Sequence, residues 1–173
     1  MTGEERRKEI INVLSSAPKP ISGTDLACMF QVSRQVIVQD IALLRAENKN
    51  IISTNRGYML YHSTQDRNLH RRIFQVSHTG EQILEEFYAI VDLGGTILNV
   101  SVEHELYGLM EASLFISNRA DAQDFVKKMD SCKDQPLSTL TGNTHYHTVE
   151  AKRKETLDAI EASLKEKGFL ISS

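Results

Sequence analysis

Three histidines and one carboxylate in the C-terminal two-thirds of this chain have the types and spacing of a metal site: His78 with Glu86, and His145 with His147. The run Asn143-Thr144-His145-Tyr146-His147-Thr148-Val149 alternates small or polar residues with larger ones. It is rich in Thr, Tyr and Val, which predicts a β-strand. Strand side chains repeat with period two, so His145 and His147 share a face and present two imidazoles together. That is half of a site for a borderline divalent ion such as zinc, nickel or iron, which mixed imidazole and carboxylate ligands suit. The alternative is a pair of solvated histidines on an edge strand. Glu86 lies eight residues after His78, between Ile83 and Ile90 at helical spacing, so it borders an apolar stripe; the adjacent Glu85 should face water more. His62, His70 and His104 sit in polar or charged surroundings and read as surface residues.

The elements that must position these groups alternate strands and helices from residue 71 onward. Residues 72–78 read as a strand, and Thr79-Gly80-Glu81-Gln82 as a capping box opening a helix to about residue 92. Strands are expected at 95–102, 110–117, 144–149 and 169–172, with helices at 118–130 and 152–167. This predicts an α+β domain, one sheet with helices on one face, an α/β-sandwich-like regulatory module. Residues 63–70 are polar and read as a linker.

The first 62 residues follow a different pattern. Ile10, Val13, Leu14 and Ala17 recur at helical spacing until Pro18 and Pro20 end the run. Ser22 can cap a second helix carrying Leu26, Ala27 and Phe30, with Cys28 expected in its core. Ser33 can cap a third, 34–47, with Ile37, Ile41 and Leu44 as its stripe. Residues 50–61 then form two β-prone runs around a turn rich in Asn, Arg and Gly. Helix, helix, tight turn, helix and hairpin is the order of a winged helix-turn-helix. Residues 26–41 resemble the helix-turn-helix of many bacterial repressors, with Gln31 where glycine is usual, so a left-handed backbone is expected there. On that reading Ser33, Arg34, Gln35 and Val36 begin the helix entering the major groove of double-stranded DNA, and Gln39 follows one turn later. Arg56, at the wing tip, would meet phosphate or the minor groove.

Composition agrees with such a molecule. In 173 residues, 40% are hydrophobic and 25% charged, as in ordinary globular proteins. Residues 1–62 carry eight Lys and Arg against six Asp and Glu, a net +2; the remainder is −5. A mildly positive head on an acidic body fits a DNA reader joined to a regulatory or oligomerising part. No apolar run approaches the ~20 residues of a membrane span. The start is not a signal peptide, and two distant cysteines suit a reduced, cytoplasmic protein without membrane contact.

A helix-turn-helix head followed by His78, Glu86 and the His145-Tyr146-His147 pair resembles the NiaR family. These are nicotinate-responsive repressors of NAD biosynthesis and niacin-uptake genes in Gram-positive bacteria and relatives, and their C-terminal module is the three-histidine domain. The resemblance spans essentially the whole chain, and the histidine spacing is its specific part. It implies a divalent metal held by His78, Glu86, His145 and His147, with Glu86 carried over by its spacing from His78. It further implies nicotinic acid as co-repressor. The expected organisation is then a DNA-binding domain over 1–62 and a ligand- and metal-binding, dimerising domain over 71–173. A homodimer would match a palindromic operator.

Two other functions compete. A regulator could answer to the ion alone, and His-x-His pairs also occur in hydrolases. No nucleophile or base constellation accompanies the pair, and no glycine- and arginine-rich nucleotide loop suggests a biotin ligase, so an enzyme is not expected. By charge alone, Arg71, Arg72 and Arg119 are candidates to grip an effector's carboxylate.

Overall fold

A computed structural model describes residues 1–47, 49–61 and 68–172, which divide into two compact units, Met1–Gln65 and Asp66–Ser173. Most of the expected linker, 63–67, lies outside the described residues, as does His62, and His70 is already the first residue of a strand. Among the described residues, no helix is long and apolar enough to cross a membrane.

In the first unit, α1 (Gly3–Ser16) starts at Thr2, whose hydroxyl and Glu5 form a reciprocal capping box. Ser22 caps α2 (Gly23–Phe30) and Ser33 caps α3 (Arg34–Ala46), each satisfying an otherwise orphaned amide. Between them Gln31 takes φ 54° and ψ 44°, the left-handed backbone expected where glycine is usual. Strands β1 (Ile51–Thr54) and β2 (Gly57–Leu60) pair antiparallel around Asn55 and Arg56. Tyr58 and Ile21 exchange backbone hydrogen bonds of 2.8 Å, which tie the hairpin to the segment before α2. Gly57 makes that approach possible: at φ +137°, a Cβ there would lie 2.2 Å from the Ile21 carbonyl oxygen.

Ile10, Leu14, Leu26, Ile37, Ile41, Leu44 and Ile51 form the core of this unit. Cys28 does not join it but is exposed. Leu26, Ala27 and Phe30 set the inward stripe of α2, and Cys28, two residues past Leu26, is roughly 200° around the helix from it. One charged residue is buried here as well. Asp40, between Ile37 and Ile41, accepts hydrogen bonds from Arg6 Nε at 2.6 Å and Arg7 Nη1 at 3.4 Å, stapling α3 to α1.

The second unit is built on one five-stranded antiparallel sheet: β3 (His70–Ser77), β4 (Thr96–His104), β5 (Gly108–Ile116), β6 (Thr144–Ala151) and β7 (Leu170–Ser172), in the order β5-β4-β6-β3-β7. Helices α4 (Ile83–Val91), α5 (Arg119–Ser131) and α6 (Lys154–Glu166) complete it. α6 packs on β3 and β6, and α4 packs on β4, α5 and α6. The core joins Phe74, Val76, Ile97, Leu114 and Val149 of the sheet to Ile83, Phe87, Ile90, Leu157 and Ile160 of the helices. The neighbouring position Ile73 points away and is exposed, as period two requires. Two short 3₁₀ helices, Gly80–Gln82 and Leu137–Thr141, interrupt the pattern. The first opens the expected helix at 79–92; the second has no counterpart in the sequence reading.

Candidate metal centre and DNA-facing helix

Burial alternates along β6, so that His145, His147, Val149 and Ala151 all face the core. β3 runs antiparallel beside it, with Val76 opposite His145 and Phe74 opposite His147. Continuing that face two residues past Val76 brings His78 to His145, their ring centroids 4.8 Å apart. The Thr79–Gln82 capping box then turns the chain into α4, whose first turns carry Glu86 inward with Ile83 and Phe87. Glu86 is 0% exposed, whereas Glu85 is exposed and pairs with Lys167 at 3.3 Å. Helix packing thus decides between the adjacent glutamates.

The four side chains meet. Glu86 Oε2 lies 2.6 Å from His78 Nε2 and 3.7 Å from His145 Nε2, and Oε1 lies 3.2 Å from His147 Nε2. Ligand atoms of His78, Glu86 and His145 fall within 4.8 Å of one another. Each ring's other nitrogen meets a backbone carbonyl: His78 Nδ1 donates to Thr79 at 2.8 Å, His145 Nδ1 to Asn143 at 2.8 Å, and His147 Nδ1 to Asn99 at 2.7 Å. A carbonyl only accepts, so each Nδ1 holds a proton and each Nε2 is turned inward as a donor atom for a cation. Local backbone irregularities accompany these contacts. Asn143 adopts φ 71° directly after Gly142, and β4 shifts register against both neighbours around Asn99.

Electrostatics within the cluster are tightly opposed. Burial pushes the Glu86 carboxyl up, but His147, His145 and His78 together hold it well below the ordinary carboxylate range. Burial pushes His78 and His147 down, and the Glu86 carboxylate more than offsets this, leaving both raised. Even so, Glu86 Oε1 and His147 Nε2, buried and 3.2 Å apart, meet only each other and without good hydrogen-bond geometry. Orphaned polar atoms facing each other in a core are costly, and a bound cation would satisfy both. The donor set, three imidazoles and a carboxylate, fits zinc, nickel or iron.

A cavity of about 50 Å³ opens onto this cluster, walled by Ile83, Phe87, Val100, Leu114, Phe125, Pro136, Leu137 and Ser138. The arginines singled out by charge are elsewhere engaged. Arg71 pairs with Glu150, Arg72 with Asp158 and Glu161, and Arg119 with Asp92 while lying over the Tyr88 ring. None lines the cavity. Charge without position misdirects here, because each guanidinium has carboxylates within reach on neighbouring elements. His104 organises the β4–β5 turn, its Nδ1 accepting from the Leu106 and Tyr107 amides.

On α3, Arg34, Gln35 and Gln39 are exposed, Ser33 is the cap, and Val36 is half-buried. Arg56 is half-buried at the hairpin turn. Arg45 connects these parts: its Nε donates to the Ile51 carbonyl at 2.9 Å and its Nη2 to Ser53 Oγ at 2.7 Å, fixing the hairpin to the end of α3. Sequence reasoning missed Arg45, and it missed Asp40, although a carboxylate at helical spacing inside an apolar stripe was a readable signal. The carbonyls of Thr79, Asn99 and Asn143 had none, since every residue carries one.

Comparison with known proteins agrees with both units. Residues 6–59 match an HTH domain and residues 71–173 match the 3H domain. The chain is 43% identical to the probable transcription repressor NiaR of Thermotoga maritima over 168 residues, 97% of this chain and 94% of that protein. It is 37% identical to the transcription repressor NadR of Bacillus subtilis over 172 residues, 99% of this chain and 96% of that one. With an HTH domain and a 3H domain in this order, and with both relatives matched nearly end to end, the chain belongs to the NiaR family of transcription regulators and is not an enzyme.

Proposed function

We propose that this protein represses NAD biosynthesis or niacin-uptake genes by binding their double-stranded operator DNA as a homodimer in the cytoplasm, with nicotinic acid as co-repressor. His78, Glu86, His145 and His147 hold one divalent transition ion, nickel, zinc or iron. Residues 1–62 bind DNA, and residues 71–173 bind metal and effector and dimerise. Ser33, Arg34, Gln35, Val36 and Gln39 face the major groove, and Arg56 contacts the backbone or minor groove.

One observation carries the reading: three histidines locked through Nδ1 turn their Nε2 atoms onto a buried carboxylate at the wall of an apolar cavity. A bound ion would supply a Lewis-acidic centre for the pyridine nitrogen of nicotinate. The cavity favours such an effector over a regulator answering to the ion alone, because an ion needs no apolar chamber. By joining elements that carry different ligands, β6 and α4, the effector favours whichever arrangement it binds more tightly. Gel-shift titration of the metal-loaded full chain on operator DNA tests this. Nicotinate should tighten binding; an operator affinity that depends on metal but not on nicotinate overturns the co-repressor assignment.

A further inference from the structure

The cavity beside the metal cluster contains one polar side chain that is not a candidate metal ligand, Ser138. Its residue is only 8% exposed, and it belongs to the 3₁₀ helix Leu137–Thr141 that the sequence reading did not anticipate. This segment has three hydroxyls. Thr139 Oγ1 donates to the Pro136 carbonyl at 2.7 Å, and Thr141 Oγ1 donates to the Thr144 carbonyl at 2.5 Å. Both hold the turn in shape. The Ser138 backbone is pinned as well, its carbonyl accepting from the Asn143 amide at 2.9 Å. Its hydroxyl alone makes no hydrogen bond to a described residue, although it stands at an otherwise apolar wall.

Charge completes the case. A divalent ion, Glu86 and three neutral imidazoles sum to one positive charge, and no lysine or arginine lines the cavity. A monocarboxylate ligand would bring the buried site to neutrality, so no further cation is required to hold it. What a carboxylate lacks in such an apolar chamber is a hydrogen-bond donor.

We propose that Ser138 recognises the effector, its hydroxyl donating to the carboxylate that the ring carries meta to its nitrogen. This rests on the function proposed above. The test is calorimetric titration of the nickel-loaded full chain, wild type and Ser138→Ala, with two probes: nicotinate, and pyridine, which keeps the ring nitrogen and lacks the carboxylate. Ser138→Ala should bind nickel as wild type does and lose about tenfold or more in nicotinate affinity, the size of a hydrogen bond to a charged group. Its affinity for pyridine should not change. Nicotinate affinity unchanged in the variant overturns the assignment while leaving the co-repressor reading intact. Equal losses for both probes also overturn it, since Ser138 would then only shape the wall. Failure of the wild-type protein to bind nicotinate overturns both.

Discussion

Three helices among the described residues bury a carboxylate, and those of α3 and α4 serve opposite ends. Asp40 interrupts the apolar stripe of α3, and Glu86 that of α4. Asp40 is met by two guanidiniums, which are always charged and only donate; the pair is complete and joins α1 to α3. Glu86 is met by three imidazoles whose outer nitrogens are already committed to carbonyls, and one of its oxygens has no hydrogen bond. Arginine closes the account of a buried carboxylate. Histidine can give up its inward proton and offer a lone pair to a cation. Burial of an acid is therefore uninformative until the chemistry of its partners is known.

The sharpest way to break this contrast is to remove each carboxylate in turn. Glu86→Gln, or His145→Ala with His147→Ala, should abolish metal content measured by elemental analysis of the purified chain. The loss should exceed the roughly 100-fold that removal of an outer-shell partner costs at most. The metal-free Glu86→Gln protein should also be less stable than metal-free wild type at neutral pH, because His78 and His147 lose the carboxylate that holds them. Stoichiometric metal in Glu86→Gln would end the reading of Glu86 as a ligand. The paired histidine variant should also lose nicotinate-dependent operator binding while keeping weak non-specific binding.

Asp40→Ala should do the reverse. Metal content should stay as in wild type, while the first unit loses about 2 kcal/mol in denaturant unfolding, since two charged hydrogen bonds are lost but both arginines can turn to water. An unaltered unfolding midpoint would show that Asp40 is not a staple.

Smaller effects separate the positions proposed to face DNA. Arg34→Ala and Gln35→Ala should each weaken specific operator binding by ~1–2 kcal/mol if they reach base edges. Arg56→Ala should reduce specific and non-specific binding alike, as a backbone contact does. Filter binding on operator and scrambled duplexes distinguishes the two patterns, and equal behaviour of all three variants would dissolve the division between helix and wing. At the bottom of the scale, Cys28→Ser should change stability by less than about 0.5 kcal/mol, as its exposure requires. A loss of several times that in thermal unfolding would return Cys28 to the core.

Sequence alone determined what depends on local periodicity. The shared face of His145 and His147 follows from period two, the stripes of α3 and α4 from period 3.6, and the starts of α2 and α3 from cap chemistry at Ser22 and Ser33. Even the strain at Gln31 was legible, because a tight turn imposes its backbone whichever residue fills it. Only the tertiary structure decided what depends on non-local register and packing. Pairing of β3 with β6 brings His78 beside His145, and the packing of α4 carries Glu86, already on the apolar stripe, against all three histidines. The same packing withdraws Arg71, Arg72 and Arg119 into ion pairs and leaves Ser138 at the cavity wall. The physical reason is distance along the chain. A side chain's facing is set by its own few neighbours, but which residues it faces is set by elements far along the chain, brought together by burying a common core.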